Sequence, residues 1–115
     1  MKITRFEDII AWQKAQDLAV EIYKYFGDLR DWGFRDQITK AVVSVSNNIA
    51  EGFERGSDAE FIRFLNFSRT SNNEVKSMTY LAARLGYINE ETTQQLLKQI
   101  NEVSRLIYAF IQSIK

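Results

Sequence analysis

The chain has 115 residues, the size of one domain, and it contains no cysteine, histidine or proline. Without cysteine and histidine it lacks the ligands of zinc sites and the usual thiol and Ser-His nucleophile systems. Fifteen basic residues balance fifteen acidic ones, so the overall electropositive excess of most nucleic-acid-binding proteins is missing. We therefore expect one domain over residues 1–115 that is not an enzyme and holds no metal or cofactor.

The sequence also bears on the compartment. No long apolar run follows the charged residues near the N-terminus, so a signal peptide is not predicted. No stretch reaches the roughly 18 uncharged residues that a membrane span needs. We therefore expect a cytoplasmic protein that makes no contact with a membrane.

Four segments show apolar residues at steps of three and four, the spacing of amphipathic helices. Gly27 and Gly86 lie where left-handed residues would end the first and third helices. Ser57 begins a capping box with Glu60, and Asn89 is a good N-cap for the fourth helix. The predicted helices span residues 6–26, about 33–53, 57–85 and 90–114.

The fourth helix has the clearest pattern, a seam with alternating steps of four and three that is typical of coiled coils. The seam consists of Leu96, Ile100, Val103, Ile107, Phe110 and Ile114. Short connections between the four helices predict antiparallel neighbours, and hence an all-α, up-and-down four-helix bundle.

Some apolar residues exceed one stripe per helix, and a second apolar face predicts a homo-oligomer. The alternative is that these residues widen the core. They are Phe67, Met78, Tyr80, Leu81, Leu106 and Ile111.

Two acidic residues, Glu51 and Glu74, are expected near a buried surface. Paired carboxylates in a four-helix bundle are typical of di-iron sites, but those sites also need histidine. We instead predict a structural polar layer between the second and third helices, because hydrogen-bonded polar groups in an interface fix its register. The predicted layer consists of Ser44, Asn48, Glu51, Ser71 and Glu74.

Phosphate contacts have five candidates, namely Arg55, Arg63, Arg69, Lys76 and Arg84. Arg69 and Lys76 are seven residues apart and share a helix face. Residues 57–86 carry four basic and three acidic side chains, which is more typical of a solvated surface than of a binding stripe. In a symmetric ring, however, a modest patch is repeated in every subunit.

Trp12 is predicted to lie in the core, whereas Trp32 suits either packing or base stacking.

Several of these residues are similar to one family. They include Phe6-Glu7-Asp8 with Trp12, the stretch Ser44 to Gly52 (Ser-x-x-x-Asn-Ile-Ala-Glu-Gly), and Leu85-Gly86-Tyr87-Ile88. Over nearly the whole chain the sequence resembles the bacterial four-helix bundle proteins encoded by intervening sequences in 23S rRNA genes. It is similar also to the accessory variability protein of diversity-generating retroelements.

This resemblance implies a bundle that assembles into a ring, typically a homopentamer, with no enzyme activity and with nucleic acid as the suspected partner. Two interpretations follow. In the first, the protein is an oligomeric bundle that binds RNA, DNA or a nucleic-acid-associated protein partner. In the second, it is a scaffolding homo-oligomer without nucleic-acid contact. Salt-dependent RNA binding separates the two, because phosphate neutralisation makes affinity fall steeply with salt.

Overall fold

The computed structural model describes residues 3–115, and within this range the protein is all-α, with four helices and no strand. The helices are α1 (Ile10–Phe26), α2 (Trp32–Glu54), α3 (Asp58–Arg84) and α4 (Glu90–Ile114). Each packs against the next along the chain, and α1 closes the bundle against α4. No helix in residues 3–115 is both long and apolar enough to cross a membrane.

Neighbouring helices run antiparallel, as the contacts between them show. Between α2 and α3, Val45 bonds Ser68 whereas Gln37 bonds Glu74, so residue numbers fall on one helix as they rise on the other. The predicted bundle architecture is therefore observed within the chain.

The first predicted helix is interrupted near its start. Phe6–Asp8 forms a single 3-10 turn, and Ile9 is extended before α1 begins. The interruption allows Ile9 to turn into the core, where it is almost fully buried. Trp12 is only half-buried and packs edge-on against Phe6, with ring centroids 5.3 Å apart. The prediction that Trp12 lies on the apolar stripe is thus confirmed in part.

Most predicted helix ends are confirmed. The Ser57 hydroxyl accepts the amide of Glu60 at 3.2 Å, and the Asn89 side chain accepts the amide of Thr92 at 2.8 Å. Gly86 is left-handed, with φ of 79°. The prediction for Gly27 is wrong, because its φ of −59° is right-handed and its amide still bonds Tyr23 as in a helix.

The seam of α4 is the centre of the core, as predicted. Leu96, Ile100, Val103 and Ile107 are buried, while Phe110 and Ile114 are partly buried at its end. Two residues that we considered surplus are core instead, because Met78 and Ile111 are buried. The wider core therefore accounts for part of the apolar excess. Phe67, Tyr80 and Leu81 stay exposed.

Helices α2 and α3 pack closely at Gly52. A Cβ atom at this position would lie 2.6 Å from Cβ of Phe64, closer than real contacts allow, and 3.1 Å from a ring carbon of Phe61. The glycine that ends the Asn-Ile-Ala-Glu-Gly stretch is therefore required by packing against α3.

Candidate nucleic-acid interface

Part of the predicted polar layer forms between α2 and α3. The hydroxyls of Ser44 and Ser71 share a hydrogen bond of 2.9 Å across the interface. The amide of Asn48 donates to the carbonyl and the hydroxyl of Ser44, at 2.8 and 2.9 Å. Glu74 lies beside this cluster and accepts a bond of 3.1 Å from Gln37, but it is exposed.

Glu51 lies outside the layer, and the prediction that both glutamates lie near a buried surface is wrong. The Glu51 side chain is 55% exposed and pairs with Arg55 of its own helix at 3.0 Å. At this level α3 presents Phe64, which packs against Gly52 and offers no donor to a carboxylate. The carboxylate therefore turns toward solvent.

The most deeply buried polar side chains are on α3, and the predicted polar layer did not include them. Ser68 donates to the Val45 carbonyl of α2 at 2.7 Å. Asn72 donates to the Ile100 carbonyl and the Ser104 hydroxyl of α4, at 2.9 and 2.8 Å. The signal available in the sequence was a polar residue at a position where the helical pattern predicts the core. These two residues join α3 to both of its neighbours.

The five candidate phosphate contacts fall into separate groups. Arg55 and Arg63 are paired with carboxylates, those of Glu51 at 3.0 Å and Glu60 at 3.4 Å. Their guanidinium groups also cover aromatic rings, because Arg55 lies 4.7 Å from the ring centroid of Phe64 and Arg63 lies 5.6 Å from it. These two arginines are therefore engaged within the protein.

Arg69 and Lys76 lie on the α4 side of α3, in a stripe at steps of four, three and four residues. Arg69 reaches across to α4, with its guanidinium 5.5 Å from the ring centroid of Tyr108. The stripe is Arg69, Asn73, Lys76 and Tyr80. Arg84 extends it into the last turn of α3, near the end where α4 begins with two glutamates.

Helix α4 carries a matching stripe that the sequence analysis missed, and it consists of Gln94, Lys98, Asn101, Arg105 and Tyr108. The contact between Arg69 and Tyr108 sets the two stripes side by side. We call these nine residues of α3 and α4 the basic face. It has four cationic side chains and no acidic one, and none of its cations forms an ion pair within residues 3–115.

The acidic residues that balanced the charge of residues 57–86 are elsewhere. Asp58 and Glu60 occupy the first turn of α3, and Glu74 faces Gln37 of α2. A charge count along one segment therefore hid the basic face. A count along each helical stripe would have found it.

The opposite pair of helices carries two neighbouring stripes of different chemistry, in which Thr39 and Ser46 are buried and the other six residues are partly or fully exposed. Its stripe on α1 is Trp12, Gln16, Ala19 and Tyr23, and its stripe on α2 is Thr39, Val43, Ser46 and Ala50. Gln16 donates to Ser46 at 2.9 Å and joins the two stripes. We call these eight residues the uncharged face, because none carries a charge. Val20 adjoins it and is 67% exposed.

The two connections at one end of the bundle are joined by a charged hydrogen bond. The hydroxyl of Tyr87 donates to Asp31 at 2.6 Å, and the amide of Phe34 donates to the other carboxylate oxygen at 3.2 Å. The Tyr87 bond, with help from Phe34, lowers the pKa of Asp31. The same bond to Asp31 raises the pKa of Tyr87, because it stabilises the protonated phenol.

In the described part of the chain no three acidic side chains come together as the ligands of a metal ion would. Trp32 is 67% exposed at the start of α2 and is not one of the residues of either face. The structure therefore brings a group of cations and polar side chains together on one surface, and that group is the basic face.

Comparisons with known proteins show which family the sequence and the fold resemble. The sequence matches the model of the 23S rRNA-intervening sequence protein family over residues 7–109. The fold is similar to the crystal structure of a protein of unknown function from the S23 ribosomal protein family of Bacteroides thetaiotaomicron. The TM-score is 0.82 at 27% sequence identity, over 88% of this chain and 97% of that one. No curated protein gives a significant match. Because the family match extends over nearly all of the sequence, the chain belongs to the 23S rRNA-intervening sequence protein family.

Proposed function

We propose that this protein is a non-enzymatic homo-oligomer that binds RNA or DNA through its basic face. The observation that carries the proposal is the grouping of four cations on neighbouring stripes of α3 and α4, none of which forms an ion pair within residues 3–115 although Glu102 lies one helical turn from both Lys98 and Arg105. Phosphate neutralisation supplies most of the affinity of a protein for nucleic acid. Because no ion pair holds these cations, none has to be broken on binding.

The uncharged members of the face suit the same ligand. Asn73, Asn101 and Gln94 carry amides, which donate to phosphates and to the edges of bases. Tyr80 and Tyr108 present rings that are 51% and 52% exposed, and exposed aromatic rings stack on bases.

The test is the salt dependence of RNA binding, measured by fluorescence anisotropy with a labelled mixed-sequence RNA. Replacing Lys98 and Arg105 by glutamine removes two free cations of the basic face. We expect the slope of log affinity against log salt to become shallower by about 1.4 to 1.8. The matched control replaces Arg55 and Arg63 by glutamine, which removes the same charge from ion-paired positions and should leave the slope nearly unchanged. Equal losses in both variants, or no RNA binding at low salt, would contradict the proposal.

Assembly of the homo-oligomer is supported by the uncharged face, because charged residues are depleted at the centres of protein interfaces. Exposed apolar side chains also occur on another side of α3 and at its C-cap, at Phe67, Leu81 and Leu85. A ring needs two different patches that meet heterologously, and we propose that these side chains belong to the second patch. We propose the homopentamer that the family resemblance implies.

Light scattering tests the assembly. The mass should be several times the 13.4 kDa of the chain. Val20→Lys places a charge beside the uncharged face at an exposed position and should reduce the mass to that of the monomer. Gln94→Lys, an equal change on the basic face, should leave the oligomer intact. A monomeric unmodified protein at micromolar concentration would refute the assembly.

The alternative function is a scaffolding homo-oligomer without nucleic-acid contact. It is favoured by the uncharged face together with the zero net charge of the chain. In that case light scattering still gives the mass of the oligomer, but the protein binds no RNA even at low salt.

A further inference from the structure

We infer that the basic face binds single-stranded rather than duplex nucleic acid, with bases stacked on Tyr80 and Tyr108. The inference rests on the proposed function and names the class of its ligand. It depends on how the tyrosines, the amides and the cations are arranged along the two helices.

The two tyrosines lie at opposite ends of the face. Tyr108 is level with Arg69, because the guanidinium of Arg69 lies 5.5 Å from its ring centroid. Tyr80 is eleven residues further along α3, which corresponds to about 16 Å at the helical rise of 1.5 Å per residue. Lys76, Lys98 and Arg105 lie between the two tyrosines along the helices, whereas the guanidinium of Arg69 lies against the ring of Tyr108. The arrangement is a short strip with a stacking platform at each end.

Such a strip suits an unpaired strand, because stacking on a side chain requires a free base face. In a duplex the base faces are covered by the neighbouring base pairs. Single strands expose both the faces and the pairing edges of their bases. The half-exposed rings of Tyr80 and Tyr108 and the amides between them therefore find partners only on an unpaired strand. A strip of about 16 Å is long enough for on the order of four nucleotides, the lower end of known single-strand sites.

The width of the face argues against groove binding. The cations are distributed over two packed helices, each about 10–12 Å in diameter. The major groove of DNA is about 12 Å wide and admits one helix. A surface two helices wide therefore meets a duplex only at its outer phosphates, and the tyrosines and amides would contribute nothing.

The experiment compares three labelled probes of one sequence: a single-stranded RNA, the corresponding single-stranded DNA, and the RNA annealed to its complement. Unmodified protein should bind both single strands at least ten-fold more tightly than the duplex. Tyr80→Leu and Tyr108→Leu, which keep apolar bulk but remove the ring, should each weaken single-strand binding by about 5- to 150-fold. Duplex binding should not change.

Three controls make the result specific. Tyr108→Phe retains the ring and should restore single-strand binding. Trp32→Leu, which removes an exposed aromatic ring that belongs to neither face, should have no effect. Thermal melts show whether each variant is folded.

Equal or tighter duplex binding, unaffected by the tyrosine variants, would overturn this inference while leaving nucleic-acid binding by the basic face in place. Loss of binding in Trp32→Leu equal to that in Tyr80→Leu would also overturn it. Failure of every probe to bind at low salt would remove the proposed function as well.

Discussion

The uncharged face and the basic face are built on the same helical spacing but differ in chemistry. Each consists of two antiparallel stripes that border the buried side of their helices. On α1 and α2 the stripes hold small, aromatic and hydroxyl side chains, such as Ala19, Tyr23 and Val43. On α3 and α4 the same positions hold Lys76, Lys98 and amides. The core requires only the apolar positions, so the bordering stripes were free to take different compositions.

The cations of the protein show the same contrast. Arg55 and Arg63 are held by carboxylates one helical turn away and lie over Phe64. The guanidinium of Arg69 lies against the ring of Tyr108, but Arg69 forms no ion pair with a carboxylate in residues 3–115. A sequence count treats these arginines alike. The neighbours decide which of them are available to a ligand.

The largest effect should come from destabilising the core that holds both faces in place. Ile107 is fully buried in α4, so Ile107→Ala should cost about 2–5 kcal/mol of unfolding free energy, measured by urea titration. Both RNA binding and self-association should then fail at the same denaturant concentration. The control, Gln112→Ala on the exposed side of α4, should stay within about 0.5 kcal/mol. A cost below about 1 kcal/mol would show that Ile107 is not core.

The next largest effect concerns the polar groups beneath the basic face. Asn72→Ala removes the donor to Ile100 and Ser104, and we expect a loss of about 1–3 kcal/mol in the same titration. Glu51→Ala and Glu74→Ala act on exposed side chains and should each change stability by less than about 0.5 kcal/mol. If the glutamate variants cost as much as Asn72→Ala, the polar layer first predicted from the sequence would be the stabilising one.

The packing of α2 against α3 depends on Gly52. Gly52→Ala should be destabilising, because overpacking against Phe64 costs about 1–3 kcal/mol whereas the better helix propensity of alanine returns at most about 1 kcal/mol. Gly33→Ala, on the same helix with no atom closer than 4.0 Å, should instead be neutral or stabilising. Calorimetric melting of the two variants separates packing from propensity. Similar shifts in both would mean that α2 and α3 can move apart freely.

The smallest effect should be the pH dependence of the Asp31–Tyr87 bond. The pKa of Asp31 is lowered, so its stabilisation is complete above the ordinary value of 3.8 and is lost as pH falls through the lowered pKa. The pKa of Tyr87 is raised, so its stabilisation is complete below 10.0 and is lost as pH rises through the raised pKa. Thermal melts of the unmodified protein and of Asp31→Asn should therefore differ most between these limits. A constant difference across the whole pH range would exclude this bond as its cause.

The elements of the fold were predictable where the information is local. The seam through Ile107 and the caps at Ser57 and Asn89 need only a few neighbouring residues, and all three were confirmed. Gly27 was wrong because a glycine permits a left-handed end without requiring one.

The candidate site was less predictable because it depends on residues across an interface. The phase of Glu51 on α2 is visible in the sequence, but the aromatic side chain opposite it on α3 is not. Lys98 and Arg105 were missed for the same reason, since they join Arg69 and Lys76 only when α3 and α4 lie side by side. Periodicity assigns residues to the sides of one helix, and packing decides which helices those sides meet.

The segregation of charge also affects how the protein meets a polyanion. With the four cations of the basic face set aside, eleven basic side chains remain against fifteen acidic ones, so the rest of the surface is negative. A molecule of zero net charge arranged in this way presents a local positive patch on the outer side of α3 and α4. The phosphates of a nearby nucleic-acid strand attract the basic face and repel the more acidic parts of the surface. This turns the protein before contact is made. At physiological salt this torque acts within roughly 8 Å, so orientation is selected only in the last stage of approach.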